Sequence, residues 1–249
     1  MLSVLVLTKN EEDVIADCLE SVKDIADEIL VIDAKSDDRT PEIAQHLGAK
    51  VISHEFQDFA SQRNFAFSKA KGDWVLYLDA DERATSEFKT ALQKILQHHR
   101  EENGIGGYYI QRKTFFYGKD WGLTDRVQRL FLRKQFIEWK GIVHETPKIK
   151  GSFGEISEPI LHYTHRNLSQ MLAKTNEWSE YEADLRFKSH HPKMTVLRFI
   201  RVMATGFFKS YFQENGYKNG TEGFIEATYQ AFSMFVTYAK LWEKQNNHD

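Results

Sequence analysis

The sequence has a single cysteine, Cys18, among 249 residues, and it has no long uninterrupted apolar run. A lone cysteine excludes an intramolecular disulfide. No apolar stretch approaches the length of about 18 residues that a membrane-spanning helix needs, so none is predicted. The apolar start, MLSVLVLTKN, also lacks the basic lead and the length of a secretory signal. The cytoplasm is therefore the expected compartment.

The chain also lacks a strong charge of either sign. Its 33 Lys and Arg residues and 36 Asp and Glu residues give a formal net charge of -3 at pH 7. Because nucleic-acid-binding domains are usually strongly basic, no nucleic-acid partner is expected. A hydrophobic content of 41% suffices to bury a full core at this length without a cofactor. One large α/β domain, alone or with a sizeable appendage, is predicted.

The first part of the chain alternates apolar strands with amphipathic helices. Leu2 to Leu7 is a continuous apolar run, which is typical of a strand covered on both faces of a parallel sheet. Further strands are predicted at residues 28–33, 50–53 and 74–78, and helices from Asn10, from Thr40 to Gly48 and from Ala60 to Lys69. Asn10 is predicted to cap the first helix. The alternation predicts an α/β layer with a parallel sheet and helices on both faces.

The pattern changes after a helix predicted at residues 86–99 and a loop at 100–107. The segments GYYIQRKTFFYG, RVQRLFLRK and ISEPILHYTH are predicted to be strands of a mixed or antiparallel extension. From Asn167 onward the chain is predicted to be helical, in segments at 169–187, 195–212 and 221–244. An α/β domain of residues 1–166 and a helical C-terminal region of residues 167–249 follow from this division.

Polar residues collect where the predicted parallel strands end. In chain order they are Thr8, Asn10, Glu11, Asp33, Asp79 and Asp81. Open α/β sheets bind ligands beyond the carboxyl ends of their strands. The converging carboxylates would repel one another and raise one another's pKa unless a cation or hydrogen-bond donors offset the charge. Oxygen ligands predict Mg²⁺ or Mn²⁺, shared with a diphosphate-bearing substrate.

A simpler interpretation of the same residues concerns local structure only. Asp79 and Asp81 are also common turn residues, and Asp81 with Glu82 would merely open the next helix. The segment SDDRTP after Asp33 likewise supplies turn and cap chemistry, although Asp33 itself is not needed for that turn.

Three segments together resemble a known family. They are SVLVLTKNEE, EILVIDAKSDDRT and FASQRNFAFSKAKGDWVLYLDADE, and they look like the family 2 glycosyltransferases of the GT-A fold. That resemblance implies an inverting transfer of sugar from a nucleotide-sugar donor by a catalytic domain of residues 1–166. The later segments RLFLRK, GIVHETP and LHYTHRNLSQMLAKTNEWS are similar to lipopolysaccharide core glucosyltransferases. The implied substrates are UDP-glucose and a lipopolysaccharide core or related, lipid-linked glycan.

The resemblance also implies roles for individual residues. Thr8, Asn10 and Glu11 would line the nucleotide pocket, and Asp33 would hold the base. Asp79 would contact the ribose or the metal, and Asp81 would ligate the metal that bridges the diphosphate. The turn AKSDDRT departs from the family's usual small Gly-Ser run, and Lys35 in that turn would contact a phosphate or remain solvated.

An inverting transfer also needs a base for the acceptor hydroxyl, and the second half of the chain offers two carboxylates. Glu145 in GIVHETP is favoured over Asp125 in GLTDRVQRLF. His144 and His162 are candidates to assist, and His162 is the candidate to complete the metal shell. Arginines that would contact a diphosphate or an acceptor phosphate are Arg63, Arg126 and Arg129.

A third signal lies in the segment KMTVLRFIRVMATGFFKSYF, residues 193–212. It carries basic and aromatic side chains and no acid. Such a segment is typical of a helix that lies in the interface of an anionic bilayer. The alternative is that it packs on the next segment as a helical hairpin or forms a homodimer contact.

Three other functions share parts of this pattern. A haloacid-dehalogenase-type phosphatase also has a D-x-D motif after an apolar strand, but that motif normally lies on the first strand. A nucleotidyltransferase usually has a glycine-rich, basic loop after the first strand, and LTKNEED is neither. A non-catalytic sugar-nucleotide-binding protein is disfavoured by the intact Asp33, Asp79 and Asp81.

Overall fold

The computed structural model describes residues 1–98, 104–141 and 145–246. The first part of the chain forms the predicted alternation of strands and helices. Its strands are β1 (Leu2–Thr8), β2 (Glu28–Asp33), β3 (Lys50–Ser53) and β4 (Trp74–Asp79), and its helices are α1 (Ile15–Val22), α2 (Thr40–His46) and α3 (Phe59–Lys69). β1 pairs in parallel with both β2 and β4, and β2 pairs in parallel with β3. The carboxyl ends of four strands therefore lie along one edge.

The second part extends this sheet. Its elements are β5 (Glu82–Ala84), α4 (Ser86–His98), β6 (Ile105–Phe116), β7 (Lys119–Leu132), β8 (Phe136–Lys140), β9 (Thr146–Ile149) and β10 (Ser152–Thr164). The eight-stranded sheet has the order β3-β2-β1-β4-β7-β6-β10-β5, and β8 and β9 form a separate antiparallel pair. β7 runs antiparallel to β4, and β10 runs antiparallel to β5. The predicted antiparallel extension is confirmed.

Alternating side chains of the central strands build two cores, one on each face of the sheet. Val4 and Val6 of β1 pack with α1 and α4 on one face. Leu5 packs with α3 and with Trp139 of β8 on the other face. Because both faces are covered, the central strands are apolar throughout. The predicted α/β class with helices on both faces is confirmed.

The C-terminal part of the described chain is helical, as predicted. It contains α5 (Leu168–Lys188), α6 (Val196–Phe208) and α7 (Gly220–Asn246), with a π-helical turn (Lys209–Gln213) and a short 3₁₀ turn between α6 and α7. None of the helices in the described residues is both long and apolar enough to cross a membrane.

The chain divides into two compact units. The first contains Met1–Thr114 and Thr124–Tyr163, and the second contains Phe115–Leu123 and Thr164–Asp249. The second unit includes the tip of the β6–β7 hairpin because Lys119 is ion-paired with Glu222, and the Tyr117 hydroxyl is 3.4 Å from Glu226 Oε2. The predicted division between residues 166 and 167 stays a prediction.

One local prediction and one alternative interpretation are wrong, and each has a backbone reason. Asn10 does not cap α1, since it has a positive φ of 55° and its side chain accepts a hydrogen bond from Asp37 N. α1 begins only at Ile15. Glu82 does not open a helix; it begins the short strand β5, which pairs with β10. The strands β8 and β9 were not predicted.

The buried and exposed leucines offer a matched test of this core. Leu5 is fully buried in β1, whereas the exposed fraction of Leu197 is 78%. We expect Leu5→Ala to lower the free energy of unfolding by about 2–5 kcal/mol, because it leaves a cavity in the sheet core. Leu197→Ala should change it by about 0.5 kcal/mol or less. Urea unfolding followed by tryptophan fluorescence measures both, and equal effects would contradict the burial described.

Candidate active site

Two turns at the carboxyl ends of β1 and β2 are joined by hydrogen bonds to polar side chains. Asp33, which is buried, accepts from Thr8 Oγ1 at 3.1 Å and from Ser36 N at 2.9 Å. Asn10 N donates to Ser36 Oγ at 2.9 Å, and Glu11 N donates to Thr40 Oγ1 at 2.8 Å. The structure therefore brings Thr8, Asn10, Glu11 and Asp33 together, as the strand ends predicted.

Lys35 lies near these residues, but its side chain is ion-paired with Glu55. It lies in the same turn with a positive φ of 56°, and its Nζ is 3.0 Å from Glu55 Oε2. Both side chains of this pair are largely exposed, so the pair contributes little to stability. A phosphate contact by Lys35 stays a prediction.

Asp79, at the end of β4, is paired with two buried arginines. Arg63 Nη2 of α3 is 3.3 Å from Asp79 Oδ1, and Arg129 Nη2 of β7 is bonded to Asp79 Oδ2. Burial by itself would raise the pKa of Asp79, but the Arg129 and Arg63 guanidiniums outweigh that effect and hold the pKa below its usual range. Asp79 is therefore an anion at neutral pH.

Arg63 links this carboxylate to a second one. Its Nε donates to Glu145 Oε1 at 2.9 Å, while its Nη2 reaches Asp79. The guanidinium also lies 5.1 Å from the ring centre of Trp139 and 5.5 Å from that of Tyr77. The aromatic rings and the two carboxylates hold Arg63 in one orientation. Residues 63 and 145, which are 82 positions apart, thus become neighbours.

The two predicted base candidates have different surroundings. Asp125 is half exposed and accepts two hydrogen bonds from Arg112, from Nε at 2.9 Å and from Nη2 at 2.6 Å. Both of its oxygens are therefore engaged. Glu145 accepts from Arg63, and 15% of its side chain is exposed. His144, the predicted assistant, lies outside the described residues.

Asp81 lies next to His162. Asp81 Oδ2 is 3.4 Å from His162 Nε2, and both side chains are mostly buried. The β5–β10 pairing produces this contact, because it places His162 opposite Glu82. In the described ranges 1–98, 104–141 and 145–246, no three His, Cys, Asp or Glu side chains are grouped so as to hold a metal by themselves. An oxygen and an imidazole nitrogen at this spacing fit two positions in the coordination shell of one divalent cation, which commonly takes its other ligands from water and a substrate diphosphate.

The sequence analysis did not predict two charged residues of this cluster, Glu82 and Arg112. Glu82 is fully buried, its Oε2 accepts from Asp79 N at 3.0 Å, and Arg112 Nη1 is 3.2 Å from its Oε1. Burial raises the pKa of Glu82, against the opposing effect of Arg129. The alternation of side chains along β6 could have indicated that Arg112 points toward the core. Residues 108, 110 and 112 share one face of the strand, and Tyr108 and Ile110 are buried. No sequence pattern marks Glu82 as buried.

The other predicted arginines separate into two kinds. Arg63 and Arg129 are buried in the cluster around Asp79. Arg126 is largely exposed, lies 3.5 Å from Glu155 and stands over the ring of Tyr109. A phosphate contact by any of the three stays a prediction.

Comparison with known proteins identifies the family. A model of Glycosyl transferase family 2 matches residues 3–160. The chain belongs to that family. A family 2 glycosyltransferase is an enzyme, so the phosphatase and the non-catalytic alternatives are not supported. The matched range contains all the strand-end residues described above.

Relatives match over nearly the full chain. An uncharacterized glycosyltransferase of Rickettsia typhi is 30% identical over 97% of this chain and 87% of its own length. The lipopolysaccharide core biosynthesis glycosyltransferase LpsC of Rhizobium meliloti is 27% identical over 98% and 92%. Among solved structures, glucosyl-3-phosphoglycerate synthase from Mycobacterium tuberculosis, in complex with Mn²⁺, UDP and glucosyl-3-phosphoglycerate, is 22% identical with a TM-score of 0.36 over 47% of this chain and 44% of that chain.

The Asp79 pairing predicts how stability depends on pH. Because the folded-state pKa lies below the unfolded value of about 3.9, the stabilisation is present above that value and is lost as the pH falls through the folded pKa. We expect Asp79→Asn to lower the free energy of unfolding at pH 7 by about 2–4 kcal/mol, since Arg63 and Arg129 lose a charged partner. The variant should also lose less stability than the wild type between about pH 4 and pH 2.

Urea unfolding at several pH values measures both effects. The control is Asp24→Asn, because Asp24 is an exposed residue that pairs with Lys89. Exposed pairs contribute about 0–1 kcal/mol, so this control should follow the wild type. Equal losses in the two variants would contradict the described pairing of Asp79.

Proposed function

We propose that this enzyme is an inverting glycosyltransferase that takes glucose from UDP-glucose. The observation that carries the proposal is the convergence, at one edge of the sheet, of Asp33, Asp79 and Asp81 with Glu145. Asp33 ends β2 and Asp81 lies in the turn just after β4, as donor binding would require, and Arg63 connects Asp79 to Glu145. Family membership supports the reaction class, and the donor is inferred from the resemblance of the strand-end motifs.

The donor would lie along the carboxyl ends of β1, β2 and β4. Thr8, Asn10 and Glu11 line the first strand end, and Asp33 would receive the base. Its carboxylate is already held by Thr8 and Ser36, so it would meet the base in a fixed orientation. Lys35, in the same turn, is the candidate for a phosphate contact.

Asp81 and His162 would hold a divalent cation, Mg²⁺ or Mn²⁺. When bound, such a cation neutralises charge on the diphosphate leaving group. Asp79 was also predicted as a ligand, but both of its oxygens are bonded to arginines. Its proposed role is therefore to hold Arg63 and Arg129 at the edge where the diphosphate would bind.

Glu145 is the proposed base. It would accept the proton of the acceptor hydroxyl as that oxygen bonds to the anomeric carbon, while the bond from this carbon to the diphosphate oxygen breaks on the opposite side. Arg63 would orient the carboxylate through the bond from Nε. Asp125 is the weaker candidate because Arg112 engages both of its oxygens.

The proposed acceptor is a lipopolysaccharide core or a related, lipid-linked glycan. The relative LpsC is named for lipopolysaccharide core biosynthesis and matches 98% of this chain, which supports this class of acceptor. A lipid-linked acceptor would also place the enzyme at the cytoplasmic face of a membrane.

Donor binding can be tested by calorimetric titration of UDP and UDP-glucose with and without Mn²⁺. We expect metal-dependent binding, and a loss of about 100-fold in affinity in Asp81→Ala, because a site with two protein ligands loses one of them. Asp24→Ala, which removes an exposed carboxylate paired with Lys89, is the matched control and should bind as the wild type does. If neither nucleotide binds with any metal, the proposed donor is wrong.

The base can be tested by comparing two conservative variants. Glu145→Gln should lower kcat by about 10²–10⁴-fold and leave the affinity for UDP unchanged, since it removes a proton acceptor and keeps the shape. Asp125→Asn should lower kcat far less. Steady-state kinetics with UDP-glucose and a deacylated lipopolysaccharide core as acceptor measure both, and the reverse order of effects would assign the base to Asp125.

A further inference from the structure

Helix α6 has one face that packs within its own unit. Phe199 and Val202 join Met234 of α7 around a small core that contains Leu241. A Cβ added at Gly206 would lie 3.0 Å from Met234 Cγ and 3.1 Å from Gln230 O, so the two helices approach closely there. This face accounts for the predicted packing of the segment on its successor.

The opposite face of α6 is exposed, and Phe212 of the π-helical turn continues it. No residue of α6 is buried. The side chains that share this face, which we call the α6 apolar face, are Val196 (75% exposed), Leu197 (78%), Ile200 (60%), Phe208 (54%) and Phe212 (50%). Large apolar side chains grouped in this way on a surface mark a site of interaction with a partner or a membrane.

Basic residues accompany the α6 apolar face. They are Lys193, Arg198, Arg201 and Lys209, and no acidic residue occurs between residues 193 and 213. Lys209 Nζ lies 3.6 Å from Glu214 Oε1, just beyond the segment. The segment is therefore strongly positive although the whole chain has a formal net charge of -3.

We infer that the α6 apolar face binds the surface of an anionic phospholipid bilayer. The helix would lie in the plane of the interface, with Leu197, Ile200 and Phe208 among the upper acyl chains. Arg198 and Arg201 would contact lipid phosphates. α6 has 13 residues and is about 20 Å long, shorter than the hydrocarbon core of about 30 Å, so the binding is to the surface.

Charge distinguishes this partner from a second copy of the chain. A two-fold dimer through the α6 apolar face would place the same patch on both sides of the contact. The basic residues of one copy would then face those of the other, and residues 193–213 offer no acid to offset them. Anionic lipid supplies the negative charge that a second copy of this segment lacks.

The test is co-sedimentation of the full chain with two kinds of vesicle, one of phosphatidylcholine alone and one of equal parts phosphatidylcholine and phosphatidylglycerol. We expect binding to the anionic vesicles and little to the neutral ones. Arg198→Gln/Arg201→Gln should weaken binding by about 30-fold, because each basic residue near the surface contributes roughly fivefold. Leu197→Gln/Ile200→Gln should weaken it by about 30-fold or more, because it removes inserted apolar surface.

Two control variants match these changes in number and chemistry. Lys50→Gln/Lys94→Gln removes two exposed basic residues of the first unit, and Leu168→Gln/Leu172→Gln replaces two exposed leucines of α5. Both should bind vesicles as the wild type does. The affinity for UDP should be the same in all four variants, so a failure of the donor proposal would be seen separately from a failure of membrane binding.

Three results would overturn the inference. The first is no preference of the wild type for anionic vesicles, and the second is unchanged binding in either of the two α6 variants. The third is a concentration-dependent dimer, seen by light scattering, that the Leu197→Gln/Ile200→Gln variant converts to a monomer, because the α6 apolar face would then be an interface between copies.

Discussion

The ion pairs of Asp79 with Arg63 and Arg129 determine how the candidate site is arranged. Asp79 ends the strand β4, Arg63 belongs to α3 and Arg129 to β7, so one carboxylate joins three elements. Removing one member would leave buried charge without its partner, which costs several kcal/mol in proteins. Because Arg63 also bonds Glu145, the same pairing fixes the distance between the proposed donor side and the proposed base.

Neighbouring carboxylates at this edge differ in pKa and in binding partners because their surroundings differ. Burial raises the pKa of Glu82, whereas two guanidiniums hold the pKa of Asp79 low. Asp81 lies beside His162, and a carboxylate oxygen next to an imidazole nitrogen makes it the better candidate for a cation ligand. In the proposed function, Asp79 would hold the two arginines in place and Asp81 would bind the metal. The D-x-D sequence of Asp79 and Asp81 does not by itself show which aspartate has which role.

Family 2 membership and the α/β class follow from features that are local in sequence. Apolar runs, turn residues and helix periodicity indicate the four parallel strands, and the rule that ligands bind at strand ends then predicts that Thr8 and Asp33 lie together. The same local reasoning misplaces the start of α1. The left-handed backbone of Asn10 depends on a hydrogen bond from Asp37, 27 residues away, which no helix-capping rule includes.

The sequence by itself determined the four parallel strands, the helices apart from the start of α1, and the candidate acids, because each of these depends on side-chain type and short spacing. Only the tertiary structure decided that Glu82 is buried, that Arg63 bonds both Asp79 and Glu145, and that His162 lies beside Asp81. Those contacts join residues as many as 82 positions apart. They depend on which strands become neighbours in the sheet, and strand order is a property of the whole packed core, to which short-range patterns contribute only in part.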